Sequence, residues 1–201
     1  MLFIRLKVMP MTTLFHRIDT AKAGLGAEDL ITIRAEAAYE IDERNALLAR
    51  AMAPDWRTKT SEKLRHGRLP AAGLAFVAKN RAGHVLGTVR LWDIDAGIDR
   101  EGRAVPALLL GPLAVDPAAK AAGIGTGLML RAIEKARRYG HGAVLLVGDA
   151  PYYERFGFTS EKTATLMLPG PFERQRFLAL ELKPGHLDGA AGFVSASGRK
   201  A

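Results

Sequence analysis

Apolar residues recur along this chain at two different periods, and the alternation between them marks out its elements. Leu30-Ile31-Thr32-Ile33-Arg34-Ala35-Glu36 alternates for most of its length, the pattern of a half-buried strand. Ile41 to Ala53 runs at a helical period, with Asp42 and Glu43 in its first turn and Pro54 closing it. Thr60 to Arg65 suggests a second, short helix before Gly67, with Trp56 between the two. Packing is the simpler role for that aromatic and substrate contact the other. Leu74 to Ala78 and Val85 to Trp92 flank a turn at Asn80-Arg81-Ala82-Gly83 and read as a hairpin. The segment Asp93 to Glu101 concentrates acids and reads as a loop, either a solvated turn or a lure for a cationic amine. A strand is expected over 107–115. Ala143 to Val147 is apolar throughout, as a parallel strand covered on both faces would be. Leu166 to Leu168 and Arg176 to Leu182 supply the last strands. Residues 1–28 carry no clear period and read as an N-terminal extension, 29–185 as one domain, and 186–201 as a flexible tail.

The strongest periodicity lies over 126–139. Turning about 100° per residue from Leu128, the residues Leu128, Met129, Ala132, Ile133, Ala136 and Tyr139 share one side. Arg131, Glu134, Lys135, Arg137 and Arg138 take the other, and only Leu130 breaks the pattern. Cations in the last turn and Gly140 after it suit a helix C-terminus. The opposite end offers unpaired N–H groups and a partial positive charge. Gly123, Gly125 and Gly127 remove the side chains that would hold a ligand away from that backbone. These features predict an anion site, for phosphate.

Three phosphate-loop patterns compete for these glycines. A P-loop requires Gly-Lys-Ser/Thr, but Gly127 is followed by Leu128 and Met129. The dinucleotide pattern requires glycine at position 128. Gly123-Ile124-Gly125-Thr126-Gly127 matches the methyltransferase pattern for S-adenosylmethionine, yet Asp116 and Pro117 end the strand well before the glycines. Residues 141–201 are also too few for the further βα units of that fold.

Composition narrows the choice. At 201 residues, 48% apolar and 25% charged, the chain can bury one sizeable core as an ordinary soluble domain. There is no apolar run of membrane-spanning length and no cysteine, so thiolate metal sites are excluded and a cytoplasmic location is expected. Five histidines stand singly without metal-ligand spacing, so no metal is expected. The net charge of +8 comes from scattered basic residues, which implies attraction to polyanions in general and no specific nucleic-acid partner.

Two stretches resemble a known family. Leu113-Ala114-Val115-Asp116-Pro117 through Lys120-Ala121-Ala122-Gly123-Ile124-Gly125 resembles the acyl-CoA motif of the GNAT superfamily of N-acetyltransferases, with Lys120 in place of the usual Gln or Arg. Gly148-Asp149-Ala150-Pro151-Tyr152-Tyr153-Glu154-Arg155-Phe156-Gly157-Phe158 resembles a bacterial subgroup with a Gly-Asp-x-x-Tyr-Tyr-x-Arg-Phe-Gly-Phe run. The resemblance implies an α/β (α+β) fold: a mixed, largely antiparallel sheet with a splayed parallel pair of middle strands and helices on both faces. It implies direct acetyl transfer from acetyl-CoA to a primary amine of a small molecule or peptide, in a ternary complex and without a metal. It assigns the cofactor to Leu113, Ala114, Val115, Lys120, Ala121, Ala122, Gly123, Ile124, Gly125, Thr126, Gly127 and Tyr153. Homodimers are frequent in the family, so a homodimer is one expected assembly.

Three residues are candidates for the chemistry. Pro112 cannot donate to a strand ladder and predicts a bulge, which would turn the Leu113 N–H toward a thioester carbonyl. Tyr153, four residues before Gly157, matches the family's tyrosine acid, with Tyr152 as its rival. Many members place a glutamate base in the central strand, but Leu109 stands there. Asp149 is one candidate base and a water relay to main-chain carbonyls another, with capping of the following helix as the simpler role for Asp149. A non-catalytic acyl-CoA-binding module of the same fold is the alternative function.

Overall fold

The computed structural model describes residues 30–120 and 122–201; the expected extension over 1–28 and Ala121 lie outside them. The strands are β1 (Thr32–Ala35), β2 (Ala75–Lys79), β3 (Val85–Ile98), β4 (Ala104–Val115), β5 (Ala143–Val147), β6 (Leu166–Met167), β7 (Phe177–Glu181) and β8 (Ala191–Ala196). The helices are α1 (Ile41–Ala51), α2 (Thr60–Lys63), α3 (Ile124–Arg138) and α4 (Ala150–Glu154). The sheet runs β1-β2-β3-β4-β5-β7, antiparallel at every step except β4–β5. That parallel pair holds register only at Leu108↔Val144 and Leu109↔Leu145. Beyond those pairs the strands separate, as expected of a splayed middle pair.

Both faces of the sheet are buried, which is why its central strands read as continuous apolar runs. On one face Phe76, Val89, Leu91, Leu108, Leu110, Val144 and Leu146 pack with Leu128, Met129, Ala132 and Ala136 of α3. The other face is closed in two parts. Leu47 of α1 packs on Val77 and Val85, and Leu48 packs on Trp56 and Ala114. Farther along, Trp92, Ile94, Leu109 and Leu145 pack with Leu166, Phe177 and Val194.

The structure corrects four expectations. First, the acidic segment is not a loop: β3 continues to Ile98, paired with β4 through Asp93↔Leu108, Ile94↔Ala107 and Asp95↔Pro106. Ile94 and Ala96 are fully buried while Asp93 and Asp95 are partly exposed, a strand alternation masked by the acids. The turn falls at Asp99–Arg103, where Asp99 accepts from the Glu101 and Arg103 N–H groups. Second, the tail forms β8. β2 covers the edge of β3 only as far as Arg90, and β8 takes the same edge from Ile94 to Ile98. Its one buried anchor, Val194, leaves little apolar signal in the sequence. Third, α3 begins at Ile124, so Gly125 and Gly127 lie inside its first turn. Fourth, Tyr139 is 52% exposed rather than part of the buried face, because the helix ends there. The end is a Schellman arrangement, with the Gly140 N–H on the Arg137 carbonyl and the His141 N–H on that of Ala136. Among the described residues no helix is long and apolar enough to cross a membrane.

The docking of β8 is testable. Val194→Ala removes two methyl groups from a site that is 1% exposed. It should lower unfolding stability by about 2 kcal/mol, read from the urea midpoint at constant slope. An unchanged midpoint would mean the segment is not packed as described.

Candidate active site

The gap between β4 and β5 begins at an irregularity in β4. Val89 faces Leu113 but Leu91 faces Leu110, so β4 spends one residue more than β3 in this interval. This is the bulge that Pro112 predicts, and a cis Gly111–Pro112 peptide lies within it. The Trp92 indole N–H donates to the Gly111 carbonyl and ties the bulge to β3. Leu110, Gly111, Pro112 and Leu113 form one wall of a cavity of about 380 Å³; Val147, Gly148 and Asp149 at the end of β5 form another. Tyr152 and Tyr153 enter from α4, and Trp56, Lys59 and Arg65 close it from the α1–α2 side. Trp56 takes the packing role, 9% exposed against Leu48, and also forms part of the cavity wall. A wider depression, lined by Gly73, Asp93, Tyr139 and His141, contains none of the predicted site residues.

The predicted anion site stands where β4 leads into α3. Gly123 is the N-cap residue with φ of 74°, a conformation costly to residues with a Cβ. No side chain caps this end, and the first described return bond is the Gly127 N–H on the Gly123 carbonyl. The N–H groups of Ile124, Gly125 and Thr126 thus lie in the unpaired first turn. Ala122 and Ile124 are buried and anchor the loop in the core, whereas Lys120 is exposed beside it. Asp116 fixes the approach by accepting from the Ala118 N–H at 3.0 Å and pairing with Arg50 at 3.0 Å. Those two contacts, the backbone bond first, hold its carboxyl below the usual carboxylate range.

The two tyrosines are separated by what each ring touches. A methyl built on Gly125 would lie 2.7 Å from the Tyr152 hydroxyl, which places Tyr152 against the α3 N-terminus. A methyl on Gly148 would lie 2.2 Å from Cε2 of Tyr153, so that ring covers the end of β5. Burial is the main reason the Tyr153 phenol is pushed up to about 12. It stays protonated, as a proton donor must.

Asp149 lies exposed at the cavity wall as the N-cap residue of α4, but its side chain makes no capping bond, contrary to the capping role considered for it. Leu109 is fully buried on the face opposite α3 and has no acid–base capacity. Sequence reasoning missed Arg155, whose Nη2 donates to the Thr126 hydroxyl at 3.0 Å while its guanidinium stacks 4.2 Å from the Tyr152 ring centre. Its place in the Tyr-Tyr-x-Arg run was the available signal. Arg65 and Arg176, which also line the cavity, had none. Among the described residues no group of three or more His, Asp or Glu could hold a metal ion.

Comparison with known proteins agrees with this geometry. The acetyltransferase (GNAT) family model matches residues 36–158. The uncharacterised N-acetyltransferase YhbS of Escherichia coli K12 is 28% identical over 162 residues, covering 81% of this chain and 93% of that protein. The crystal structure of E. coli YhbS in complex with CoA superposes with a TM-score of 0.69 over 83% of this chain and 89% of that one. A GNAT acetyltransferase of Brucella melitensis in complex with acetyl-CoA gives 0.61 at 26% identity, over 82% and 94% of the two chains.

The contact of Tyr153 with Gly148 gives a structural test. Gly148→Ala should displace the ring and cost about 1–3 kcal/mol of stability in denaturant unfolding. A neutral effect would show that the ring does not cover β5.

Proposed function

The chain belongs to the acetyltransferase (GNAT) family, and we propose that it transfers the acetyl group of acetyl-CoA directly to a primary amine of a small molecule or peptide, in a ternary complex. The run Gly148 to Phe158 resembles that of a bacterial subgroup with paired tyrosines, and this resemblance supports the reading. CoA in the E. coli relative and acetyl-CoA in the Brucella relative support the choice of donor. The residues here suit such a ligand. The α3 N-terminus is uncapped and glycine-lined, Lys120 and Arg155 stand beside it, and the edge of β4 past Leu109 faces the gap rather than β5.

Bound acetyl-CoA supplies an activated acetyl group as a thioester. The unpaired backbone N–H groups up to Thr126 at the glycine-lined start of α3 would hold the diphosphate, aided by the helix dipole. Main-chain groups of Leu113 and Val115 would hold the amide arm along the open edge of β4, with Ala114 between them. The Leu113 N–H polarises the thioester carbonyl, a contribution worth ~3 kcal/mol for a preorganised donor. Asp149, through water, accepts the proton that the amine must lose before its nitrogen forms the new C–N bond. Tyr153 gives its proton to the departing sulfur as the C–S bond breaks. The observation that carries this reading is that Tyr153 and the β4 bulge line one cavity, at the point where β4 and β5 part.

CoA thiol release measured against a panel of amines tests the reading. Tyr153→Phe should lower kcat by about 10² or more while the acetyl-CoA KM stays near wild type. Tight acetyl-CoA binding without thiol release on any amine would instead identify a non-catalytic binding module.

The pH profile gives a second check. A phenol raised to about 12 is present in its proton-donating form below that value and is lost only as pH rises through it. The rate should therefore climb from pH 7 to pH 10 as the acceptor amine, with a pKa of about 10.4, deprotonates, without a falling limb. A falling limb in that range that disappears in Tyr153→Phe would keep the acid role but show that burial does not raise the phenol as described.

A further inference from the structure

The charges around the cavity bear on which amine it accepts, an inference that rests on the acetyl-transfer reading above. Among the described residues Lys59, Arg65 and Arg176 line the cavity with Asp149 as its one lining carboxylate, while Glu62 and Glu173, outside the lining, pair with Arg65 and Arg176. Arg65 is the most constrained of them, at 7% exposed. Its Nη2 pairs with Glu62 at 2.8 Å and reaches the Ser61 hydroxyl at only 3.4 Å, while its Nε is buried with no partner among the described residues. Its Nη1 lies against the bulge, so near that a methyl on Gly111 would be 3.0 Å from it. Burial lowers the pKa of this guanidinium and Glu62 opposes the shift, yet an arginine remains charged. A desolvated cation with donors left over is costly unless an acceptor reaches them.

We propose that the acceptor is a small primary amine bearing a carboxylate or phosphate, and that Arg65 binds this anionic group beside the β4 bulge. The planar fork of an arginine fits either oxyanion. Lys59 adds attraction around the same cavity, as does Arg176 less its pairing with Glu173, and a polyamine would meet an excess of like charge on the lining. The acids of β3 do not offset them: Asp93 lines the separate depression beside Tyr139, and Asp99 is engaged by Arg103. A cavity of about 380 Å³ is of a size for a small ligand. Bound through its anion next to Gly111, such a molecule has its amine within the same enclosure as Leu113 and Tyr153.

The test is steady-state CoA release with β-alanine, phosphoethanolamine, ethanolamine and putrescine. At least one of the two anionic amines should exceed ethanolamine in kcat/KM by about tenfold or more, and which of them does so identifies the anion. Arg65→Gln should collapse that ratio through KM, and Arg65→Lys, which keeps the charge but loses the fork, should retain part of it. The lysine variant serves alone if the glutamine variant does not fold. Preference for ethanolamine or putrescine would overturn the proposal. So would an equal loss on all four amines in the variants, or a loss of CoA affinity in place of amine affinity. Absence of thiol release with every amine would defeat the acetyl-transfer reading itself, a result distinct from release with the wrong amine.

Discussion

The site exists because β4 and β5 remain in register for only two residue pairs. An unpaired strand edge inside a sheet is ordinarily a liability, since its N–H and C=O groups invite any passing chain. Here the bulge at Gly111–Leu113 bends β4 away just where β5 ends at Val147, and the two strands open like a wedge. An extended amide chain of a ligand can complete the ladder that β5 abandons. The bulge is held from both sides: Trp92 bonds to the Gly111 carbonyl, and Arg65 presses against the same residue. Leu113 and Tyr153 therefore line one cavity from a strand and a helix.

Much of this was legible in the residues. The charged face of α3, its glycine-lined start and its stop at Gly140 follow from helical period and end chemistry, which are local. The bulge was readable from one proline in an apolar strand. What escaped was non-local. β8 has a single well-buried anchor, Val194, and forms because β2 leaves half of one edge of β3 uncovered, a vacancy no local pattern reports. The continuation of β3 was hidden because Asp93 and Asp95 alternate with Ile94 and Ala96 in a segment whose acid content suggested a loop. Arg65 is adjacent to Gly111 only through tertiary packing, so nothing within its own stretch of sequence marks it.

The paired tyrosines show how neighbours divide labour. On a helix they point about 100° apart. One ring lies against Gly125 at the start of α3, the other over Gly148 at the tip of β5, and their edge-to-face contact at 4.9 Å links the two. Arg155 stacked on Tyr152 and bonded to Thr126 extends that contact to α3. The start of α3 and the two tyrosines are thereby parts of one packed unit.

The pairing of β8 with β3 has a kinetic consequence during synthesis. Its partners are about a hundred residues apart in the chain, among the longest-range contacts in the sheet. While the ribosome is still making the C-terminal stretch, the hairpin of β3 and β4 can already have formed with half of one outer edge bare. For that interval the nascent chain carries a sticky strand, and chaperone cover or rapid translation would matter most then.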